Sequence, residues 1–163
     1  MQFRLLDSIE EYEKDNRLVG YKLVHPEEQY LEDHFPEFPV MPGVFMLEAA
    51  TQASAWLLRL SDDMQHSTIA LKQARNIKYA DFVKPGERLR VETELMDKED
   101  RLATFKISGF VEERTTLSGR IVLERYNLVD TSPDLADIDE RLRIYFREWQ
   151  QELTANLATA ATV

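Results

Sequence analysis

Three prolines spaced three residues apart, Pro36, Pro39 and Pro42, run straight into a stretch, residues 44–60, that contains none. This junction limits what the chain can fold into more than any other part of it. Each proline lacks an amide donor and pushes its predecessor towards extended geometry, so residues 33–42 cannot be helical. Pro42 suits the first turn of a helix, and Gly43 lets another chain or a ligand come close, so the pattern predicts one long helix starting there. Between 44 and 60 the side chains are apolar or small, except Glu48, Thr51, Gln52, Ser54 and Arg59. A helix apolar on most faces belongs in a core. A carboxylate buried there is costly unless it is paired, hydrogen-bonded or protonated. Gln52 lies one turn beyond Glu48 on the same face and is placed to hold it. The other reading sends Glu48 to solvent on a polar strip with Gln52 and Arg59. The helix alone leaves both open.

The rest of the chain reads mainly as strands. Residues 3–9 fit a short strand, or the start of a helix entering an acidic turn over 10–17. Residues 18–24 alternate and are rich in β-formers. His25-Pro26 ends that strand, and residues 26–31 suit one helical turn that returns Tyr30 and Leu31 to the core. Residues 67–79 read as a strand whose polar end suits a channel mouth. Lys84-Pro85-Gly86-Glu87 is a turn. Residues 88–95 and 102–111 show the period of half-buried strands, with turns at 97–100 and 112–116. A last strand over 117–126 closes the sheet. One apolar helix against several antiparallel strands is an α+β arrangement. His25 and His66 read as surface loop residues.

The tail is separate. Ser132 is placed to cap a helix that Pro133 opens, with Asp134 and Asp137 in its first turns. Leu135, Ile138, Leu142, Tyr145 and Trp149 form a narrow apolar seam, to be covered by the same protomer or by its mate. Residues 155–163 are expected to fray. The division expected is a body over 1–128 and an amphipathic helix with a frayed tail over 129–163.

With 163 residues the chain suits one domain with a real core. It has no cysteine, which excludes disulfides and thiol chemistry. The first residues turn acidic without an apolar run, and Glu48 and Gln52 interrupt the only helix greasy enough to suggest a membrane span. A cytoplasmic location and no membrane partner are expected. A net charge of −10 argues against nucleic acid. Yet residues 66–90 carry +4, while residues 126–163 carry −4. Lys72, Arg75, Lys78, Lys84 and Arg88 form either a basic island for a small acidic partner or a solvated sheet edge.

His34-Phe35-Pro36, Pro39-Val40-Met41-Pro42-Gly43, Glu48-Ala49 and Gln52 together resemble the signature of the 3-hydroxyacyl-(acyl-carrier-protein) dehydratases, the FabZ/FabA-like family. The resemblance implies a hotdog fold: a long central helix wrapped by a five- to seven-stranded antiparallel sheet, here with a C-terminal helix added. It implies dehydration of a 3-hydroxyacyl thioester to a trans-2-enoyl thioester, with acyl carrier protein as partner and no metal or organic cofactor. It implies a homodimer or a trimer of dimers, with His34 and Glu48 meeting across the interface, one from each protomer. Glutamate at 48 is similar to the branch that only dehydrates. Such a reaction needs a base near neutral pKa, an acid for the leaving hydroxyl and donors to the thioester carbonyl. His34 suits the first, Glu48 the second and the Gly43 amide at the helix start the third. Phe35, Val44 and Gln52 join Gly43 as expected substrate contacts. Two departures stand out. Asp33 and Glu37 replace the usual glycines around the histidine, and would favour imidazolium if they approach it. The family's usual Pro-His-Arg segment has no counterpart here, and residues 3–7 resemble the strand next to it, so a substrate-contacting piece is expected to be missing. Competing readings are a hotdog thioesterase and a non-catalytic acyl-binding paralogue.

Overall fold

The computed structural model describes residues 3–160, except the side chains of 158–160. Six antiparallel strands form one sheet: β1 (Ser8–Glu13), β2 (Arg17–Leu23), β3 (Thr68–Tyr79), β4 (Arg88–Lys98), β5 (Leu102–Val111) and β6 (Arg114–Tyr126). Their order across the sheet is β1-β2-β4-β5-β6-β3. A short α1 (Tyr30–Asp33) precedes the proline loop, and α2 (Gly43–Ser61) is the long helix that loop predicts. The sheet curls round α2, which touches β2, β3, β4, β5 and β6.

The core follows from the two periodicities. In β5 alternate residues Ala103, Phe105 and Ile107 are buried, and in β4 Leu89, Val91 and Thr93. From α2, Met46, Ala49, Ala50, Ala53, Trp56 and Leu57 meet them. The alanines bring helix and sheet close together. The buried Thr93 hydroxyl is therefore satisfied by Ser54 Oγ at 2.6 Å, and Ser54 Oγ also donates to the Ala50 carbonyl at 2.9 Å.

Several boundaries differ from expectation. β1 occupies Ser8–Glu13, where the sequence suggests an acidic turn. As an edge strand it buries Ile9 and turns its carboxylates outward, towards Arg17 and Arg88. The chain reverses afterwards through Asp15 in the left-handed region. The turn expected over 112–116 shrinks to Glu112-Glu113, because Glu112 adopts φ +55° and closes a two-residue hairpin. Ser132 makes no side-chain cap. A turn of 3-10 helix covers Pro133–Leu135, and α3 (Ala136–Leu153) begins after it. Residues 155–160 form a further short helix, α4 (Ala155–Ala160), held against the body through Leu157 instead of fraying. The last part of the expected frayed tail, residues 161–163, lies outside the described residues.

α3 lies on its own protomer, and its buried face is offset from the expected seam. Ile138 is exposed, whereas Trp149 and Leu153 are buried and Phe146 packs beside them. The seam begins instead at buried Asp139, which accepts hydrogen bonds from Ser67 Oγ and from the amides of Leu128 and Val129. Burial alone would push its carboxyl up. The Ser67 and backbone hydrogen bonds, with the Arg143 charge, outweigh burial and hold it below the ordinary carboxylate value. Arg4 clamps the other end of α3, with its guanidinium 4.8 Å from the Trp149 ring and Nε donating to the Tyr145 hydroxyl at 3.1 Å.

Candidate active site

The proline loop delivers His34 to the start of α2. His34 leaves α1 in an extended conformation, and Phe35 turns back at φ +51°. Met41 N–H then bonds the Val83 carbonyl at 2.8 Å, which fastens the loop to the segment after β3. The result is a cavity of about 410 Å³ lined by His34, Met41, Gly43, Met46, Tyr79 and Phe82, among others. His34 is half-buried in it. Asp33 and Glu37 are exposed and form no ion pair with His34. The nearest ring to the imidazole is Phe35, at 4.3 Å.

Gly43 begins α2, and what comes close to it is part of its own chain. A Cβ there would sit 3.0 Å from the Tyr79 ring. The Phe45 and Met46 amides bond the Pro42 carbonyl, which leaves the Gly43 and Val44 amides without a backbone acceptor among the described residues. A helix start of this kind favours a developing negative charge.

Glu48 faces a different cavity, of about 220 Å³, together with Gln52, Trp56, Arg59, Phe146 and Trp149. Its carboxylate accepts a hydrogen bond from Gln52 Nε2 at 3.0 Å. Gln52 also accepts from the Leu5 amide at 2.9 Å and donates to the Phe3 carbonyl at 3.1 Å, so it locks the N-terminal segment and aims Glu48. Glu48 is half-buried and not fully enclosed, because this flank of α2 is not covered by the sheet. Both sequence readings of the strip are partly met. Glu48, Gln52 and Arg59 do share a face, but that face looks into an aromatic-walled cavity under α3.

Within one protomer His34 and Glu48 therefore line separate cavities. Phe35 and Val44 are exposed and line neither. A larger cavity, about 560 Å³, lies between Gly86 and Arg114 and contains none of the candidate catalytic residues. No group of three or more His, Asp or Glu side chains among the described residues is arranged to hold a metal. Tyr79, Phe82 and the Trp56–Arg59–Phe146 wall are the parts of these sites not singled out as site residues from sequence.

The basic island is divided. Lys72, Arg75 and Lys78 stand exposed on β3, and Lys84 follows in the loop beyond Phe82. Lys72 lies 3.6 Å from Glu124. Arg88 is set apart on β4, stacked 3.6 Å from the Tyr21 ring and paired with Glu10. β3 and β4 adjoin in sequence, but β5 and β6 lie between them in the sheet.

Residues 1–120 match the family described as FabA-like domain. The chain belongs to that family. It is 32% identical over 120 residues to the 3-hydroxyacyl-(acyl-carrier-protein) dehydratase FabZ of Clostridium perfringens, covering 74% of this chain and 86% of that one. To the FabZ of Anoxybacillus flavithermus it is 38% identical over 94 residues, covering 58% of this chain and 66% of that one. Among solved structures, the dehydratase heterocomplex ApeI:P from Xenorhabdus doucetiae superposes with a TM-score of 0.67 at 16% identity, over 82% of this chain and 90% of that one. That likeness is one of fold. Both FabZ alignments are shorter than the chain.

Proposed function

We propose that the protein dehydrates 3-hydroxyacyl thioesters carried on acyl carrier protein, forming trans-2-enoyl thioesters for fatty-acid or related lipid synthesis. The observation that carries this reading is the shared cavity of His34 and the amide end of α2, which sets a base beside an oxyanion donor. His34 removes the C2 proton. The electron pair of that C–H bond becomes the C2–C3 double bond as the C3–O bond breaks. The departing hydroxide takes a proton from Glu48 and leaves as water. The Gly43 amide holds the thioester oxygen while charge builds on it. Proton exchange with solvent restores His34 and Glu48.

His34 and Glu48 of one protomer face different cavities, so the working site combines His34 of one copy with Glu48 of another in a homodimer. Two features support this assembly. β3 has a hydrogen-bonded neighbour on one side only. Phe35, Phe38, Val44, Leu71, Tyr79 and Phe82 are all exposed apolar side chains. No helix among the described residues is long and apolar enough to cross a membrane, and a cytoplasmic location accompanies this reading.

Hydration of crotonyl-pantetheine, followed by loss of its ultraviolet absorbance, tests the reaction from the reverse side. His34→Ala and Glu48→Gln should each abolish it in a folded protein. After unfolding and refolding together, the two inactive variants should regain about a quarter of wild-type sites by random pairing. Activity in either variant alone removes that residue from the mechanism. Inactive mixtures refute the shared site, and release of free thiol turns the reading to hydrolysis.

A further inference from the structure

Arg59 lines the Glu48 cavity but has no part in the dehydration reaction. It is 6% exposed, and among the described residues it forms no ion pair and no side-chain hydrogen bond. Its guanidinium lies 3.7 Å from the centre of the Phe146 ring and 5.5 Å from that of Trp56. These ring faces supply part of what a cation loses on leaving water, but no acceptor. Its Nε has no partner, and neither does the buried Nε1 of Trp56, one turn earlier on the same wall. Both groups are donors only, so what they lack is an acceptor. Burial pulls the Arg59 pKa down to about 9, which leaves the group charged at neutral pH. A buried, unpaired cation is costly to keep, and a carboxylate is the group that offsets it best.

The position of that cation along α2 gives its meaning. Glu48, Gln52, Ala55 and Arg59 form one stripe of the helix and line one cavity. From 48 to 59 the helix rises roughly 16 Å. Less the reach of the two side chains, that is the span of a medium-length acyl chain. A chain whose thioester end lies at Glu48 would run along Ala55, between aromatic walls, with its far end at Arg59. For a plain methyl end this is a poor terminus, since it would bury apolar carbon against an unpaired charge.

Resting on the dehydratase reading above, we propose that this cavity selects acyl chains ending in a carboxylate, with Arg59 as the specificity-determining residue that binds it. The alternative donor of an anion is a carboxylate of a second protein copy, and the same experiment separates the two.

The test is calorimetric binding of saturated acyl-pantetheines, which needs no turnover. Octanoyl-pantetheine is compared with suberoyl-pantetheine, its equivalent with a terminal carboxylate, and adipoyl and sebacoyl forms vary the length. The wild-type chain should bind one carboxylate-ended ligand at least about tenfold more tightly than the methyl-ended ligand of equal length. Arg59→Met should reverse that preference, and Arg59→Lys should keep part of it. If Arg59→Met fails to fold, the wild-type and lysine comparisons decide alone. Equal binding of both ligand types by the wild-type chain overturns the proposal, and so does a preference that survives in Arg59→Met. Loss of the dimer in Arg59→Met, without ligand discrimination in the wild type, assigns the cation to the partner's carboxylate instead. Crotonyl-pantetheine hydration by the wild-type chain is scored separately. Selective binding without hydration sinks the dehydratase reading and leaves the Arg59 site standing. Hydration without selectivity does the reverse.

Discussion

Replacing Gly43 with alanine should separate stability from activity. The new Cβ would lie 3.0, 3.1 and 3.2 Å from three carbons of the Tyr79 ring. Contacts that short force one partner to move. Overpacking typically costs about 1–3 kcal/mol, while replacing glycine by alanine in a helix returns up to about 1 kcal/mol. Tyr79 is 47% exposed, so its ring has somewhere to go, which places the cost at the low end. The net loss should then be below about 1 kcal/mol, read as a slightly lower urea midpoint with an unchanged slope. The cavity should suffer more. Tyr79 and Gly43 both line it, so the displaced ring enters the space beside His34. We expect kcat/KM for crotonyl-pantetheine hydration to fall about tenfold or more, since small misplacements near reacting atoms cost that much. The cause is checked with a double-mutant cycle. With Tyr79→Ser already in place the clash is gone, and Gly43→Ala should become neutral or slightly stabilising. An equal stability loss in both backgrounds would refute the reasoning, because the cost would then not come from the ring.

Trp149→Ala should destabilise the protein by about 3–5 kcal/mol in chemical unfolding, since it removes a buried ring from Trp56 and Arg4; a loss below about 1 kcal/mol would mean that α3 is a loose appendage. Asp139 has a depressed pKa, so its stabilisation is complete above the unfolded value near 3.8 and disappears as pH falls through the lower folded value. Asp139→Asn should therefore be clearly less stable than wild type at neutral pH, with the gap closing below about pH 4; a gap that is constant with pH contradicts the assignment. Lys78→Glu with Lys84→Glu, at the two ends of the segment lining the His34 cavity, should raise KM for carrier-bound substrate and spare the pantetheine form. If both substrates suffer equally, these lysines serve the fold.

How much of the fold is legible in the sequence depends on how local each signal is. The boundary of α2 is written in Pro42-Gly43, and β4 and β5 in strict alternation, so neither needs knowledge of distant residues. His34, Gly43 and Glu48 stand out as candidates because they sit within fifteen positions of one another at fixed spacing. β1 is misplaced from sequence because a charged edge strand and an acidic turn share one composition, and only pairing with β2 distinguishes them. The environment that the Glu48–Gln52–Arg59 strip faces is undecidable from sequence for a related reason. Its cover, Phe146 and Trp149, comes from a helix ninety or so positions away. The basic island looks continuous in the chain and is split in space, because the sheet places two strands between β3 and β4.

That split gives the cations on β3 a second physical role, which bears on any docking measurement. β3 is twelve residues long, lies at the sheet edge and is exposed along most of its length. Such an edge invites pairing with any other strand, and lysine and arginine are common devices for discouraging unwanted partners. Lys72, Arg75 and Lys78 would do this whether or not a carrier protein ever touches them. The edge is also irregular, with pairing shifts between Leu71 and Gln73 and between Arg75 and Lys78, and with Asn76 in the left-handed region. Opposite the second shift, Gly119 leaves room for the Ile77 side chain, which a Cβ would meet at 2.5 Å. The irregularity is thus built in by sequence from both strands. An edge shaped in this way can select one self-complementary mate by register while its charges repel other strands. Under the proposed reading, in which β3 meets a mate and its cations steer a carrier protein, the two tasks would draw on overlapping residues. Lys84 lies beyond the strand and forms no ion pair among the described residues, whereas Arg88 is held by Glu10. A change confined to Lys84 leaves the β3 edge untouched, whereas one at Lys78 alters that edge as well.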